Sequence, residues 1–363
     1  MEKFDRLMMQ RALRLAEQGL YTTDPNPRVG CVVVKDGKVV GEGWHRRAGE
    51  PHAEVIALRQ AGDRARGAAL YVTLEPCCHH GRTPPCSEAV RQAGVARVVA
   101  AMEDPNPKVA GQGLAALRDA GIEVQSGLLR EQAERLNPGF VSRMSRGRPW
   151  VRCKLAMSLD GRTAMASGES KWITSSAARE DVHRLRARSS AVLTGIGTVL
   201  ADDPALDARL SAPVRQPLRV VLDRELRISP RARLLSSPAE VLLFTAPGEI
   251  PSRFEPLLAA GLRIVPVPLL PGGLDLEEVL GYLAGLEINE VMLEAGVTLS
   301  GAMLQAGLID ELVIYMAPHL MGSAAKGLFH LPGLERMEQR IGVKIREIRP
   351  VGEDWRIVAS IDY

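Results

Sequence analysis

Short apolar runs of strand length alternate with stretches of helical periodicity along the 363 residues, which restricts the chain to layered α/β architectures. The rhythm breaks once. Ser142-Arg-Met-Ser-Arg-Gly-Arg-Pro149 mixes Gly, Pro, Ser and basic residues, which reads as a linker and divides the chain into domains 1–147 and 148–363. Length agrees, since about 150 residues per core gives two domains.

In the first part, Phe4, Leu7, Met8, Ala12, Leu15 and Ala16 recur near helical spacing and predict a helix over residues 4–19. Strands are expected over 29–34 and 38–44, joined at Asp36-Gly37, a pair that tolerates the left-handed backbone of a tight hairpin. Helices at 52–61, 87–93, 114–120 and 130–136 then alternate with strands at 69–74, 97–101 and 122–124. Beyond Trp150 the pattern restarts, with strands at 151–156, 191–194, 218–222, 241–244, 263–267, 291–294 and 312–316. Helices at 177–187, 276–283 and 299–305 separate some of them, which implies a larger, mostly parallel sheet.

Composition excludes several classes of function. No apolar run approaches the roughly 20 residues a membrane-spanning helix needs, and the first residues lack the apolar stretch of an export signal. Three of the five cysteines crowd into residues 77–86, which favours metal ligation in the reducing cytoplasm over disulfides. Residues 1–147 hold 21 basic and 17 acidic side chains, the remainder 25 and 26, and aromatics are only 4% of the chain. Without a cationic stripe or stacking platforms, a small-molecule substrate is expected, with neither nucleic acid nor membrane as partner.

The chemistry concentrates in three motifs: His52-Ala-Glu54, Glu75-Pro76-Cys77 and Cys86. One imidazole and two thiolates form a three-ligand zinc site that keeps a fourth position for water and lowers the pKa of that water to about 7. Glu54 is placed to shuttle protons. His52 and Glu54 open one predicted helix, and Cys77 and Cys86 flank the start of the next, so two helix N-termini are expected to face the ion. His-x-Glu followed by Pro-Cys and a second Cys is the zinc-deaminase signature, apart from eight residues here between the cysteines. The bland alternative is a structural zinc site closed by Cys78, His79 or His80, with Glu54 only capping a helix.

The longer spacing points to a particular branch. Glu75-Pro-Cys-Cys-His-His-Gly-Arg-Thr-Pro-Pro-Cys86, with Pro25-Asn-Pro-Arg-Val-Gly30 and Gly49-Glu-Pro-His-Ala-Glu54, resembles the bifunctional riboflavin-biosynthesis deaminase/reductase family over essentially the whole chain. The resemblance implies a cytidine-deaminase-like three-layer α/β/α domain with a mixed sheet, followed by a dihydrofolate-reductase-like α/β domain. It implies zinc on His52, Cys77 and Cys86, catalysis by Glu54, and a phosphorylated pyrimidine held by Asn26, His45, His79, Arg82 and Thr83. Cys78 stands where many members carry Ser.

In the second domain, Leu193-Thr-Gly-Ile-Gly-Thr-Val-Leu200 and Leu293-Glu-Ala-Gly-Val-Thr-Leu-Ser-Gly301 are strand-to-glycine-to-helix junctions able to offer backbone N–H groups to phosphate. Neither is a full dinucleotide fingerprint. The resemblance implies NADPH contacts from Ala156, Trp172, Thr198, Asp202, Gly296, Val297, Thr298, Leu299, Ser300, Gly301 and Ala302. It implies substrate contacts from Lys154, Ser170, Arg186, Leu206, Arg209 and Glu294, and a homo-oligomer.

The implied reactions are hydrolytic deamination of a diamino-ribosylamino-pyrimidinone 5′-phosphate, then NADPH-dependent reduction of the ribosyl group to ribityl. The competing enzyme reading is a nucleic-acid base deaminase with an appended domain, which predicts a basic channel that the near-neutral composition lacks. A zinc-stabilised nucleotide-binding protein without turnover is the non-enzymatic reading.

Overall fold

A computed structural model describes residues 2–78, 85–107, 109–211, 214–236 and 240–363, and the chain divides into two units, residues 1–147 and 148–363. The first contains α1 (Glu2–Glu17), β1 (Gly30–Lys35), β2 (Lys38–Trp44), α2 (Ala53–Ala61), β3 (Ala69–Val72) and α3 (Cys86–Gln92). It continues with β4 (Arg97–Ala100), α4 (Gln112–Asp119), β5 (Glu123–Ser126), α5 (Arg130–Leu136) and α6 (Pro138–Arg146). The sheet order is β2-β1-β3-β4-β5, antiparallel on both sides of β1 and parallel from β3 to β5.

Strand side chains alternate between two apolar layers. Cys31, Val33, Leu70, Val72, Val98 and Ala100 face α2, α3 and α4, while Val32, Val34, Tyr71 and Val99 face α1, α5 and α6. The expected three-layer domain with a mixed sheet results. Asp36 and Gly37 both take positive φ, 49° and 73°, as the two-residue hairpin between β1 and β2 requires. Asp5 fastens α1 across the sheet, accepting the Tyr71 hydroxyl at 2.6 Å and a bidentate Arg97 guanidinium at 2.9 and 3.0 Å.

The nine-residue α2 is too short to be stable by itself, so its position comes from packing. Gly41 and Gly43 on β2 let the helix backbone come into contact. A Cβ on Gly41 would lie 2.1 Å from the Ala57 carbonyl oxygen, and one on Gly43 would lie 2.4 Å from that of Ala53. Gly30 gives α1 the same close approach to β1, with Ala12 O at 2.0 Å from its would-be Cβ.

The break at 142–149 is narrower than its composition suggests. Helix α6 runs through Arg146, with Pro138 at its start and Phe140 and Ser142 buried, so only Gly147, Arg148 and Pro149 connect the units. Burial against the sheet overrides the local Gly/Ser/Arg composition.

The second unit contains β6 (Trp150–Ser158), β7 (Arg162–Ala164), α7 (Ser176–Arg188), β8 (Ala191–Gly195), α8 (Ile196–Asp202), β9 (Leu218–Leu222) and β10 (Val241–Thr245). There follow α9 (Glu255–Ala259), β11 (Arg263–Pro266), β12 (Leu269–Leu270), β13 (Gly273–Leu274), α10 (Leu276–Gly285), β14 (Glu290–Leu293), α11 (Val297–Gln305) and β15 (Glu311–Ala317). It ends with β16 (Lys326–Gly327), β17 (Gly342–Val351) and β18 (Asp354–Asp362). Nine strands form one sheet in the order β11-β10-β9-β8-β14-β6-β15-β18-β17.

Strands from β11 to β15 are parallel, and the β17–β18 hairpin adds an antiparallel edge. Helices α10 and α11 cover one face and α7, α8 and α9 the other. The hairpin is absent from the sequence-level expectations because the bulge between Ile345 and Glu347 breaks the period-two spacing of Val343, Ile345 and Ile348, and Pro350 interrupts the run. At the sheet base, fully buried Arg152 bonds Glu290 at 3.0 Å and also Glu311, while Arg188 reaches Glu290 at 3.2 Å, so three neighbouring strands and α7 share one neutralised charge cluster. Among the described residues no helix is long and apolar enough to cross a membrane.

The glycine contacts give a direct stability test. Gly43→Ala, which drives a Cβ into the α2 backbone, is expected to cost about 1–3 kcal/mol in urea unfolding. Gly281→Ala in α10, where a Cβ meets nothing within 4 Å, is expected to gain up to about 1 kcal/mol. Equal effects would reject the close-approach account.

Candidate active sites

His52 is the last residue before α2, with φ −72° and ψ 165°, so its imidazole projects from the helix entrance. Glu54 is buried in the first turn. Cys86 opens α3 directly after Pro85, which cannot extend the helix backwards with a backbone donor. Cys77 is drawn to the same point by its own backbone and sulfur. Its carbonyl accepts from Ser87 N at 3.1 Å and its Sγ from Cys86 N at 3.3 Å.

Three donor atoms therefore converge. His52 Nδ1 lies 3.1 Å from Cys86 Sγ and 3.7 Å from Cys77 Sγ, and one ligand atom from each of the three residues lies within 4.8 Å of the others. One imidazole and two sulfurs suit zinc. The hydrogen bond from Cys86 holds the Cys77 thiol down to about 4 against burial, with help from His52, and Cys86 is correspondingly pushed up. Hydrogen bonding to Cys77 raises His52 in turn. Burial pushes the Glu54 carboxyl up to about 7, within reach of both proton uptake and release near neutrality.

A second carboxylate nearby has a different task. Buried Glu75, two residues before Cys77, accepts four backbone N–H bonds: from Asp104 at 3.0 Å, Gly111 at 2.9 Å, Gly113 at 2.8 Å and Leu114 at 3.1 Å. It ties the start of α4 to the Cys77 segment. Gly113 allows this, because a Cβ there would lie 2.0 Å from Pro76 O. The sequence motif contained Glu75 but gave no hint of this task, which depends on residues 29 to 39 positions away.

Asn26 and His45 meet beside the metal ligands. Asn26 Nδ2 donates to His45 Nε2 at 3.0 Å, which leaves His45 Nδ1 to donate to Pro51 O at 3.3 Å. Burial lowers the His45 pKa and favours this neutral form. Its ring packs edge-on to His52 at 5.2 Å between centroids. His79, Arg82 and Thr83 lie outside the described residues, as does His80. Cys78 does not join the converging trio among the described residues; its sulfur points at the Gln112 side chain 4.0 Å away.

In the second unit the two glycine junctions lie side by side. Strands β8 and β14 are parallel neighbours, with Leu193 opposite Leu293, and Thr194 Oγ1 donates to Glu294 O at 2.7 Å. Strand β8 runs straight into α8 after Gly195, β14 is followed by Glu294, Ala295 and Gly296 before α11, and neither cap uses a side chain, so the helix-start N–H groups are not satisfied from the cap residue. Thr198 is in the first turns of α8, and Val297, Thr298, Leu299, Ser300, Gly301 and Ala302 belong to α11. Ser300 and Gly301 face inward, with a Gly301 Cβ only 2.1 Å from His330 O.

Glu294 follows β14 and takes a bidentate bond from Arg186 of α7 at 2.5 and 2.9 Å. Burial would push its carboxyl up, but the Arg186 charge and hydrogen bonds hold it down to about 2. Lys154 of β6 responds to the same charges. Burial pulls its ammonium down, Glu294 opposes, and Arg186 adds to the pull. Ala156 is two residues along the same strand.

Leu206 is buried with φ 53°, and Asp207 O accepts from Arg186 at 3.1 Å. His183, one turn before Arg186, brings Nδ1 to 3.2 Å from both Arg209 N and Asp207 O, and its tautomer sets which of the two it bonds. It has no motif in the sequence, yet it fixes the segment carrying Leu206 and Arg209. The i, i+3 spacing with Arg186 is the signal that could have found it. Trp172 is 70% exposed beneath the Arg179 guanidinium, 4.6 Å from the ring centroid. Its neighbour Lys171 pairs with Asp202 at 3.1 Å, and Ser170 is half-buried beside it.

Comparison with known proteins bears on both units. Residues 2–102 match the cytidine and deoxycytidylate deaminase zinc-binding region, and residues 149–357 match the RibD C-terminal domain. The chain is 54% identical over 362 residues to the riboflavin biosynthesis protein RibD of Escherichia coli K12, covering 96% of this chain and 97% of that one. Acinetobacter baumannii RibD, form 1, superposes with a TM-score of 0.93 at 48% identity over the whole of both chains. A Thermotoga maritima structure titled diaminohydroxyphosphoribosylaminopyrimidine deaminase/5-amino-6-(5-phosphoribosylamino)uracil reductase does so at 0.88, with 34% identity over 99% of each.

The donor geometry predicts a metal dependence that can be weighed directly. Elemental analysis after dialysis should find about one zinc per chain in the wild type and a large loss in Cys86→Ala, because two remaining donors make a weak site. Full retention of zinc by that variant would reject Cys86 as a ligand.

Proposed function

This chain belongs to the RibD family of riboflavin-biosynthesis proteins, with a zinc-binding deaminase unit and an NADPH-using reductase unit, and on that footing we propose which of its residues perform the two reactions. The substrates follow the name of the Thermotoga relative. The first unit converts 2,5-diamino-6-(5-phosphoribosylamino)pyrimidin-4-one to 5-amino-6-(5-phosphoribosylamino)uracil, and the second reduces the ribosyl group of that product to ribityl.

The observation that carries the deaminase assignment is the convergence of His52 Nδ1 with the Cys77 and Cys86 sulfurs beside buried Glu54. Zinc held by these three donors supplies the Lewis acidity that makes water nucleophilic at neutral pH. As the water oxygen bonds to ring carbon 2, Glu54 passes one of its protons to the adjacent ring nitrogen and the second to the amino nitrogen, so the C–N bond breaks, ammonia leaves and a carbonyl remains. Burial keeps that carboxyl between its two protonation states. The Asn26 amide reads a ring edge, held in place by neutral His45. His79, Arg82 and Thr83 complete the substrate pocket by likeness to the family.

For the reductase, NADPH supplies a hydride. Its proposed binding surface comprises Ala156, Trp172, Thr198, Asp202 and the residues from Gly296 to Ala302, with phosphate favoured by the uncapped start of α11. Lys154, Ser170, Arg186, Leu206, Arg209 and Glu294 line the substrate side. Arg186 keeps Glu294 ionised as an acceptor for ribose hydroxyls, and Lys154, its ammonium lowered by burial, is poised to hand a proton to the opening sugar. Both steps are assigned to the cytoplasm, where the thiol ligands stay reduced.

The working form is a homo-oligomer joined through β17 and β18. A bulge between Ile345 and Glu347 keeps Val343, Ile345 and Ile348 on one face, opposite Ile361, Ala359 and Ile357. Those three β17 side chains are 52%, 55% and 54% exposed, an apolar edge that a second copy would cover.

Two experiments test these readings. Glu54→Gln is expected to cut ammonia release by about 10²–10⁴-fold while leaving reduction of supplied aminouracil intact, and Lys154→Met to do the reverse. Loss of both activities in both variants would contradict separate sites. By light scattering, the wild type should have at least twice the mass of the chain and Ile345→Glu/Ile348→Glu the mass of one; equal masses would remove β17 from the interface.

A further inference from the structure

Asn137 sits at the corner between α5 and α6, beyond the 2–102 stretch that matches the zinc-binding region, and it is buried. Its own backbone is spent on that corner, with N donating to Glu134 O at 3.0 Å and O accepting from Val141 N at 3.0 Å. The side chain is directed elsewhere. Oδ1 accepts from Arg28 N at 2.8 Å and Nδ2 donates to Arg28 O at 2.9 Å, so one amide satisfies both backbone groups of a residue 109 positions away. The Arg28 guanidinium reaches the same corner, donating to Leu136 O at 2.9 Å, and also meets Leu20 O at 3.4 Å.

Arg28 closes the Pro25-Asn26-Pro27 segment. Pro27 fixes its own φ and confines Asn26 to extended backbone, so little torsional freedom remains between the clamped Arg28 and the Asn26 side chain. The segment is held on the other side of Arg28 as well, because His45 N donates to Val29 O at 2.9 Å. Asn26 Nδ2 then meets His45 Nε2 at 3.0 Å, and His45 Nδ1 meets Pro51 O at 3.3 Å, next to ligand His52. A continuous set of bonds thus runs from the α5–α6 corner to the ring-reading amide and the edge of the metal centre.

We infer that Asn137 is a positioning residue of the deaminase, setting through Arg28 the place from which Asn26 addresses the pyrimidine. This rests on the reading of Asn26 as a substrate contact. Asn137 touches neither the metal ligands nor Glu54, so its loss should weaken substrate binding more than turnover.

The experiment measures ammonia release from the diaminopyrimidinone phosphate by the full-length zinc-loaded enzyme, with zinc content and reductase kinetics taken on the same preparations. Asn137→Ala and Asn26→Ala are both expected to raise the deaminase KM on the order of 10-fold, with a smaller change in kcat and with zinc content and reductase KM unchanged. Should Asn137→Ala not accumulate as folded protein, Asn137→Asp, which keeps the bond from Arg28 N, is measured in its place and should show the same split. A deaminase KM within about twofold of wild type for the Asn137 variant, alongside a raised KM for Asn26→Ala, overturns the positioning role and leaves the Asn26 reading standing. Zinc loss or a parallel fall in the reductase overturns it too, since that is the mark of a general brace. An unchanged KM in Asn26→Ala sinks the reading of Asn26, and the positioning role with it.

Discussion

Backbone contact between α2 and β2 locates the chemistry of the first unit. Gly41 and Gly43 remove the side chains that would separate the two elements, so the helix entrance carrying His52 and Glu54 is set by main-chain atoms. Such contact is stiff, since neither partner can yield by changing a rotamer. Cys77 comes to that fixed point from the segment after β3, and Cys86 from the start of α3. Glu75 holds the arriving segment by four N–H bonds, where a neutral residue would leave those groups unpaired in a buried place.

The second unit relies on charge as much as on packing. Arg186 and Glu294 form a buried bidentate pair whose desolvation is offset only by good geometry, and the pair in turn sets the environment of Lys154. Removing Glu294 would leave two cations, Arg186 and Lys154, without their counter-charge. A similar economy operates at the sheet base, where Arg152 is shared by Glu290 and Glu311. Ion pairs thus act at both ends of this sheet, Arg186 and Glu294 joining α7 to the end of β14, and Arg152 binding β6 to β14 and β15.

Much of this was legible in the chain. Alternation such as Cys31 and Val33 against Val32 and Val34 marks a strand buried on both faces, and Asp36-Gly37 marks its turn, because both signals are local. The metal trio was legible for a different reason: few other chemistries need His-x-Glu, Pro-Cys and a further Cys in that order. What escaped was tertiary. Residues 142–146 look like linker until Phe140 and Ser142 are seen to be buried, and β17 is hidden because its bulge breaks the apolar alternation after Ile345. Glu75, Asn137 and His183 use ordinary polar groups whose partners lie far off in sequence or on a neighbouring loop, and no local pattern announces such bonds.

The connection left after α6, Gly147 to Pro149, has a consequence outside either site. Because both catalysts are one polypeptide, each ribosomal pass yields them in strict one-to-one proportion, whatever happens to transcript level or protein turnover. Flux through two successive steps is thereby tuned by a single dose. A change in the relative speed of the steps has to come from substitution or from the supply of their separate cofactors, since expression cannot alter the ratio of the two sites.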